Sequence, residues 1–162
     1  FYMRASETPL STNNNSVSIF ETLLLCYNES QKEDEDMQKT SILLMHCKEM
    51  EKQQKIRKLC QRFGMECRML TEKDGKEELG VLCATYPVAV GKHEMPPFAW
   101  QMPELLVFSG LQENSLQLFL AAYREAQIEQ IPLKAIVTPH NISWSIYELS
   151  RELASEHAAM HP

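Results

Sequence analysis

Lys134, Thr138, Asn141 and Trp144 are the residues whose types and spacing come nearest to chemistry in this chain. They fall in the stretch 131–144, Ile-Pro-Leu-Lys-Ala-Ile-Val-Thr-Pro-His-Asn-Ile-Ser-Trp. It reads as a short apolar strand carrying one lysine, a Thr-Pro turn, and a helix opened by asparagine with tryptophan in its first turn. Such a layout predicts an anion site. The helix start presents free N–H groups and a positive dipole end, Thr138 supplies a hydroxyl, Lys134 a charge, and Trp144 a wall or stacking platform. The same residue types also have a plainer use. Asn141 caps, Pro139 sets the turn, Trp144 packs, and Lys134 runs its stem along an edge strand.

Other reactive residues are less well furnished. Cys47 follows a predicted strand near a helix start, where a thiolate gains stabilisation. Its neighbour His46 points to the opposite face of an extended chain, and no acid partner stands out, so a buried, inert thiol is expected. His157 and His161 share a helix face with Glu156 beside them, but two imidazoles near a chain end make a poor metal site. No P-loop, G-x-G-x-x-G or G-x-S-x-G is present. The expectation is therefore no metal, no cofactor and no catalytic set.

The elements that must position these residues follow from periodicity. Residues 41–46 form a continuous apolar run, the pattern of a buried strand. Over 48–63, Ile56, Leu59, Cys60 and Phe63 define one helix face, while Lys52, Lys55, Arg57, Lys58 and Arg62 read as its solvated remainder. Gly64 stops the helix, and 65–70 alternates as a strand with Met65, Cys67 and Met69 on one side. A short helix is expected over 76–83. Four prolines make 85–103 an irregular connector, with Phe98 and Trp100 covering a core edge. A strand at 104–108 follows. Leu116, Phe119, Leu120 and Tyr123 then face inward from a helix ending near Gln127. A strand at 133–137 precedes a last helix capped by Asn141, with Ile142, Ile146, Leu149 and Leu153 inside.

The two halves echo each other. Each runs strand, helix, strand, then Thr71-x-x-Asp74 or Thr138-x-x-Asn141, then a helix holding Glu78-Leu79 or Glu148-Leu149. This reads as a degenerate duplication of a β-α-β-α unit, 41–85 and 104–160. The expected product is an α+β, ferredoxin-like sandwich with helices on one face of a four-stranded sheet. A mostly parallel α/β sheet is the alternative.

Composition narrows the class. Of the net charge of −6, residues 1–36 hold −5, with two basic and seven acidic side chains. The remainder is nearly neutral, so nucleic acid is not an expected partner. No apolar run is long enough to span a bilayer. Five cysteines without a C-x-x-C pair point to a reducing, bacterial-type cytoplasm. Residues 4–20 are rich in Ser, Thr and Asn, which predicts disorder. Met37 resembles a bacterial start, and Lys32-Glu33-Asp34 can be encoded by a purine-rich ribosome-binding sequence. Residues 1–36 are thus expected to be a translated leader; the alternative is a genuine tail with a short helix over 18–26.

Three stretches resemble a small bacterial family catalogued as a domain of unknown function. They are Pro103-Glu104-Leu105-Leu106-Val107-Phe108-Ser109-Gly110-Leu111, the 131–144 signature, and Glu156-His157. The likeness is strongest over 103–160 and implies no activity. The resulting expectation is a cytoplasmic binding or regulatory module for a small anionic ligand or a protein partner, a second copy included. A small enzyme using Lys134 and Thr138, and a structural subunit of a complex, are the alternatives.

Overall fold

A computed structural model describes residues 41–83 and 93–161. The leader reading, the helix expected over 18–26 and part of the connector lie outside those residues. The chain forms β1 (Ile42–His46), α1 (Met50–Arg62), β2 (Glu66–Met69), a 3-10 turn (Glu72–Lys76), α2 (Leu79–Leu82), β3 (Leu105–Ser109), α3 (Glu113–Glu125), β4 (Leu133–Ile136) and α4 (Ile146–Met160). The sheet order is β2-β1-β3-β4. The outer pairs are parallel and the central β1–β3 pair is antiparallel.

The fold is mixed α+β, and the one-faced, ferredoxin-like arrangement gives way to helices on both faces. The cause lies in the central strands, since all five residues of β1 and of β3 are buried. A strand apolar on both sides needs cover on both sides. Leu43, Met45, Leu106 and Phe108 pack under α1 and α3, with Ile56, Leu59, Phe119 and Tyr123. Ile42, Leu44, Leu105 and Val107 pack under α2 and α4, with Leu79, Ile146, Leu149 and Leu153. The mostly parallel alternative describes each half, but not the join between them.

The halves keep step. Ile42 and Leu105, Met50 and Glu113, and Gly64 and Gln127 are each 63 positions apart. Gly64 and Gln127 both adopt positive φ, 64° and 53°, just past a helix end. Only one of them is the glycine that conformation favours. Leu44 faces Val107 at the midpoint of the central pairing, so an approximate two-fold axis runs between them.

Two expectations need correction. The helix predicted over 76–83 is broken, because Glu77 and Glu78 extend to let Glu78 bridge to Ser145. Phe98 does not cover core; it is fully exposed. Trp100 does cover it, lying edge-on to Tyr147 at 5.2 Å and closing over Gly75. A Cβ on Gly75 would sit 2.7 Å from the Trp100 ring.

Candidate functional site

The candidate turn lies beside the seam where the two halves meet, residues 77–80 of the first against 142–146 of the second. Thr71 N–H donates to Asp74 Oδ2 at 2.7 Å, and Thr138 N–H donates to Asn141 Oδ1 at 2.8 Å. The same turn is thus closed by the same bond in each half. The chains leaving these turns then cross. Leu79 N–H donates to the Trp144 carbonyl at 3.0 Å, and Ile146 N–H donates to the Glu77 carbonyl at 3.1 Å. Glu78 and Ser145 sit opposite each other in this bridge, each just before a helix.

Asn141 is not the cap of the last helix. Its side chain is consumed within the turn, accepting from Thr138 N–H and donating to the Ile136 carbonyl at 2.9 Å. The cap is Ser145, whose Oγ accepts from Glu148 N–H at 3.1 Å while Glu148 Oε2 accepts from Ser145 N–H at 2.8 Å. Ser-x-x-Glu ahead of an apolar run is a capping box visible in the sequence. An internal carboxylate therefore already stands where the dipole of α4 would receive an anion.

Lys134 and Trp144 are also separated. In β4, Leu133 and Ala135 face the α2–α4 side, where Trp144 packs. The period of two sends Lys134 to the α1–α3 side. There it edges a depression lined by Phe108, Leu116, Leu120 and Ile136, with about 10 Å³ of interior space, enough for one water. Its amine donates to the Ile131 carbonyl and, at 3.4 Å, to Gln130 Oε1. Burial lowers its pKa, and Arg124 nearby adds to the effect. Asn141 is buried, while Thr138 and Trp144 are half-buried. Trp144 stacks edge-to-face at 5.3 Å on the exposed His140. The turn thus brings together Thr138, His140, Asn141 and Trp144, without Lys134.

The residues 104–160 match the model of a domain of unknown function, DUF3783. No match was found among curated proteins or solved structures. The DUF3783 segment is about a third of the chain and takes in β3, α3, β4 and α4, hence the whole Thr138–Trp144 turn but none of the first half that braces it.

That brace includes residues that sequence reasoning missed. His93 inserts its ring between the halves. Its Nε2 lies 2.6 Å from Glu78 Oε1 and its Nδ1 3.2 Å from Glu148 Oε2. Hydrogen bonding to Glu78 raises the His93 pKa against the opposing effect of burial, and Glu148 adds to the rise. For Glu148, burial opposes ionisation, but the Ser145 N–H and His93 outweigh it and hold its pKa low. With a carboxylate against each ring nitrogen, His93 joins the two halves. Nothing local in the sequence signals it, since its partners stand 15 and 55 positions away.

A second buried network sits at the opposite end of the central strands. Lys52, read as solvated, is 5% exposed and donates to Glu104 Oε2 at 3.0 Å and Glu129 Oε2 at 3.4 Å. Glu104 also accepts from Lys48 N–H at 3.1 Å. Cys47 beside it is buried, and burial raises its thiol pKa. His46 lies on the other side of the strand, its Nδ1 3.0 Å from the Pro103 carbonyl. His157 and His161 stack at 4.4 Å. Among the described residues, no three His, Cys, Asp or Glu side chains are placed to hold a metal ion. No helix among them is long and apolar enough to cross a membrane.

The matched turns supply an internal control. Thr71 Oγ1 donates to Asp74 Oδ2 at 3.1 Å, whereas Thr138 Oγ1 is buried with no hydrogen-bond partner among the described residues. An unmet buried hydroxyl costs about 1–3 kcal/mol. Thr138→Val is therefore expected to raise the urea midpoint or leave it unchanged. Thr71→Val is expected to lower stability by about 0.5–1 kcal/mol through loss of the turn bond. Equal losses from both variants would mean that the Thr138 hydroxyl has a partner after all.

Proposed function

We propose that the chain is a cytoplasmic binding or regulatory module that docks a protein partner on its Thr138–Trp144 turn. The observation that carries this reading is the Trp144–His140 pair, a half-buried indole edge-on to an exposed imidazole on a turn locked by Asn141. Aromatic rings held in place before binding lose little entropy on contact and are common anchors of interfaces. The thiols of Cys47, Cys60 and Cys67, outside any disulfide among the described residues, suit a reducing compartment. A small anion is the less supported ligand, because Glu148 fills the α4 start and Lys134 lies across the sheet.

The test compares the parent chain with Trp144→Ala, His140→Ala and Phe98→Ala, each checked for folding. The partner that co-purifies with the parent is expected to be lost with the first two variants and kept with the third. A partner held equally by all four, or a phosphate, nucleotide or carboxylate that raises the melting temperature of the parent but not of Trp144→Ala, sinks the reading. Light scattering identifies a second copy of the chain if that is the partner.

A second reading, a small enzyme using Lys134 and Thr138, draws on the lowered Lys134 pKa. It requires Lys134 to react with an amine-directed acylating reagent at neutral pH faster than the exposed Lys55 does. A slower reaction removes it.

A further inference from the structure

We propose that residues 93–100 form a strap latched by the proton on His93: it lies along α4 while that proton is held and lifts from α4 when it is lost. The strap meets one face of the helix. His93 Nδ1 lies 3.2 Å from Glu148 Oε2, the Arg151 guanidinium donates to Glu94 Oε2 at 2.9 Å, and Trp100 stands edge-on to Tyr147 at 5.2 Å. Arg151 also lies over the Tyr147 ring, 5.5 Å from its centre. Tyr147, Glu148 and Arg151 are neighbours on a helix surface by their spacing.

The two ends of the strap are held differently. Past Trp100 the chain is fixed, because Met102 is fully buried in the core and the Pro103 carbonyl lies 3.0 Å from His46 Nδ1. Trp100 N–H donates to the Pro97 carbonyl at 2.9 Å, and Pro96 and Trp100 close over Gly75. The other side chains between them offer little hold, since Met95, Pro97, Phe98 and Ala99 are exposed. Glu94 and Arg151 are both largely exposed, and such pairs contribute little. The His93 end therefore depends on His93.

The latch needs its proton for a geometric reason. Among the described residues, the charges facing the ring are Glu78, just before α2, at 2.6 Å from Nε2, and Glu148, in the first turn of α4, against Nδ1. A neutral imidazole has one N–H, so one ring nitrogen then turns a lone pair toward a carboxylate. Loss of the proton also takes the cluster from one net negative charge to two, in a site where Glu78 is buried and screening by water is weak.

The direction follows from the raised pKa of the latched His93, to which Glu78 contributes most. A lifted strap returns the ring to about 6.5, so latching is complete below that pH. Above it, the ratio of lifted to latched strap rises about tenfold per pH unit until the latched-state pKa is passed. Lifting uncovers the Tyr147 ring and the Gly75 backbone, an apolar surface on the α2–α4 side that acid closes and base opens.

The test is read on Trp100, the tryptophan inside the strap. Trp144 stacks on a histidine of its own, His140, so every chain tested carries Trp144→Phe. Acrylamide quenching of Trp100 is expected to be constant below pH 6.5 and to climb above it with the slope of one proton, while far-UV circular dichroism stays unchanged. His93→Gln, which has no proton to lose, is expected to abolish the climb. Gly75→Ala, which brings a Cβ to 2.7 Å from the Trp100 ring, is expected to leave the indole open to acrylamide even at pH 5.5. Quenching that is flat from pH 5.5 to 8.5, that climbs equally in His93→Gln, or that climbs only as circular dichroism is lost overturns the proposal. If His93→Gln does not fold, the titration of the His93 ring by NMR decides, a midpoint separate from that of the quenching curve overturning the latch.

Discussion

Replacing His93 with alanine is expected to lower the unfolding free energy by about 3 kcal/mol, because it removes the cation between two carboxylates, one of them deeply buried. Glu78 is 4% exposed, and both ring nitrogens of His93 are engaged. The loss should depend on pH in a particular direction. The folded-state pKa of His93 is raised, so its contribution is complete below about pH 6.5, the unfolded value. It fades as pH rises through the folded value. The pKa of Glu148 is lowered, so its contribution is complete above about pH 4.3 and fades as pH falls through the folded value. The clamp is therefore strongest between these limits. Urea unfolding of the parent and His93→Ala should differ more at pH 5.5 than at pH 8.5. A gap that is the same at both values would mean that His93 contributes packing rather than charge.

The second large effect is expected at Lys52. Lys52→Met should cost about 3 kcal/mol, since it strands the Glu104 carboxylate at the start of α1 without its cation. Burial opposes the charge on both groups. Their mutual hydrogen bond outweighs it, raising the Lys52 pKa and lowering that of Glu104. Adding Glu104→Leu to Lys52→Met should recover most of the loss, because a well-packed apolar pair avoids the desolvation of both ions. A double-mutant cycle by urea unfolding measures this. Strict additivity of the two single effects would show that the ions do not act as a pair. Glu129, 76% exposed, is expected to add little.

How far the sequence could be read depended on the range of the interaction. The inner helix faces rested on local periodicity. Ile56, Leu59, Cys60 and Phe63, and likewise Leu116, Phe119, Leu120 and Tyr123, are all buried. The shared Thr-x-x-Asp and Thr-x-x-Asn turns were equally local, and the same bond closes both. Asn141 fits the residue type of a cap but is used within the turn, whereas Ser145 and Glu148 have the spacing of a capping box and cap α4. The one-faced helix layer overlooked what an unbroken apolar run such as Ile42–Met45 requires, which is cover on both sides. The separation of Lys134 from Trp144 followed from the period of β4, but only once it was known which side each helix covers.

Long-range pairs left no such trace. Lys52 reads as one more base on a basic helix because Glu104 and Glu129 are 52 and 77 positions away. The His93 clamp joins three segments and matches no spacing rule. The clamp ties the start of α4, which follows the Thr138–Trp144 turn, to Glu78 of the first half.

The start of the DUF3783 segment falls at the seam of the sheet. It begins at β3, the strand whose long edge is covered here by β1. Cut free at that point, residues 104–160 are half a sheet with a greasy open seam, Leu105–Phe108 lying along its middle. Because Leu44 faces Val107 at the midpoint, a second β3 running antiparallel about Val107 restores the strand order of the intact chain. Within this chain β1 gives that seam its antiparallel partner, so the axis between Leu44 and Val107 lies inside one polypeptide.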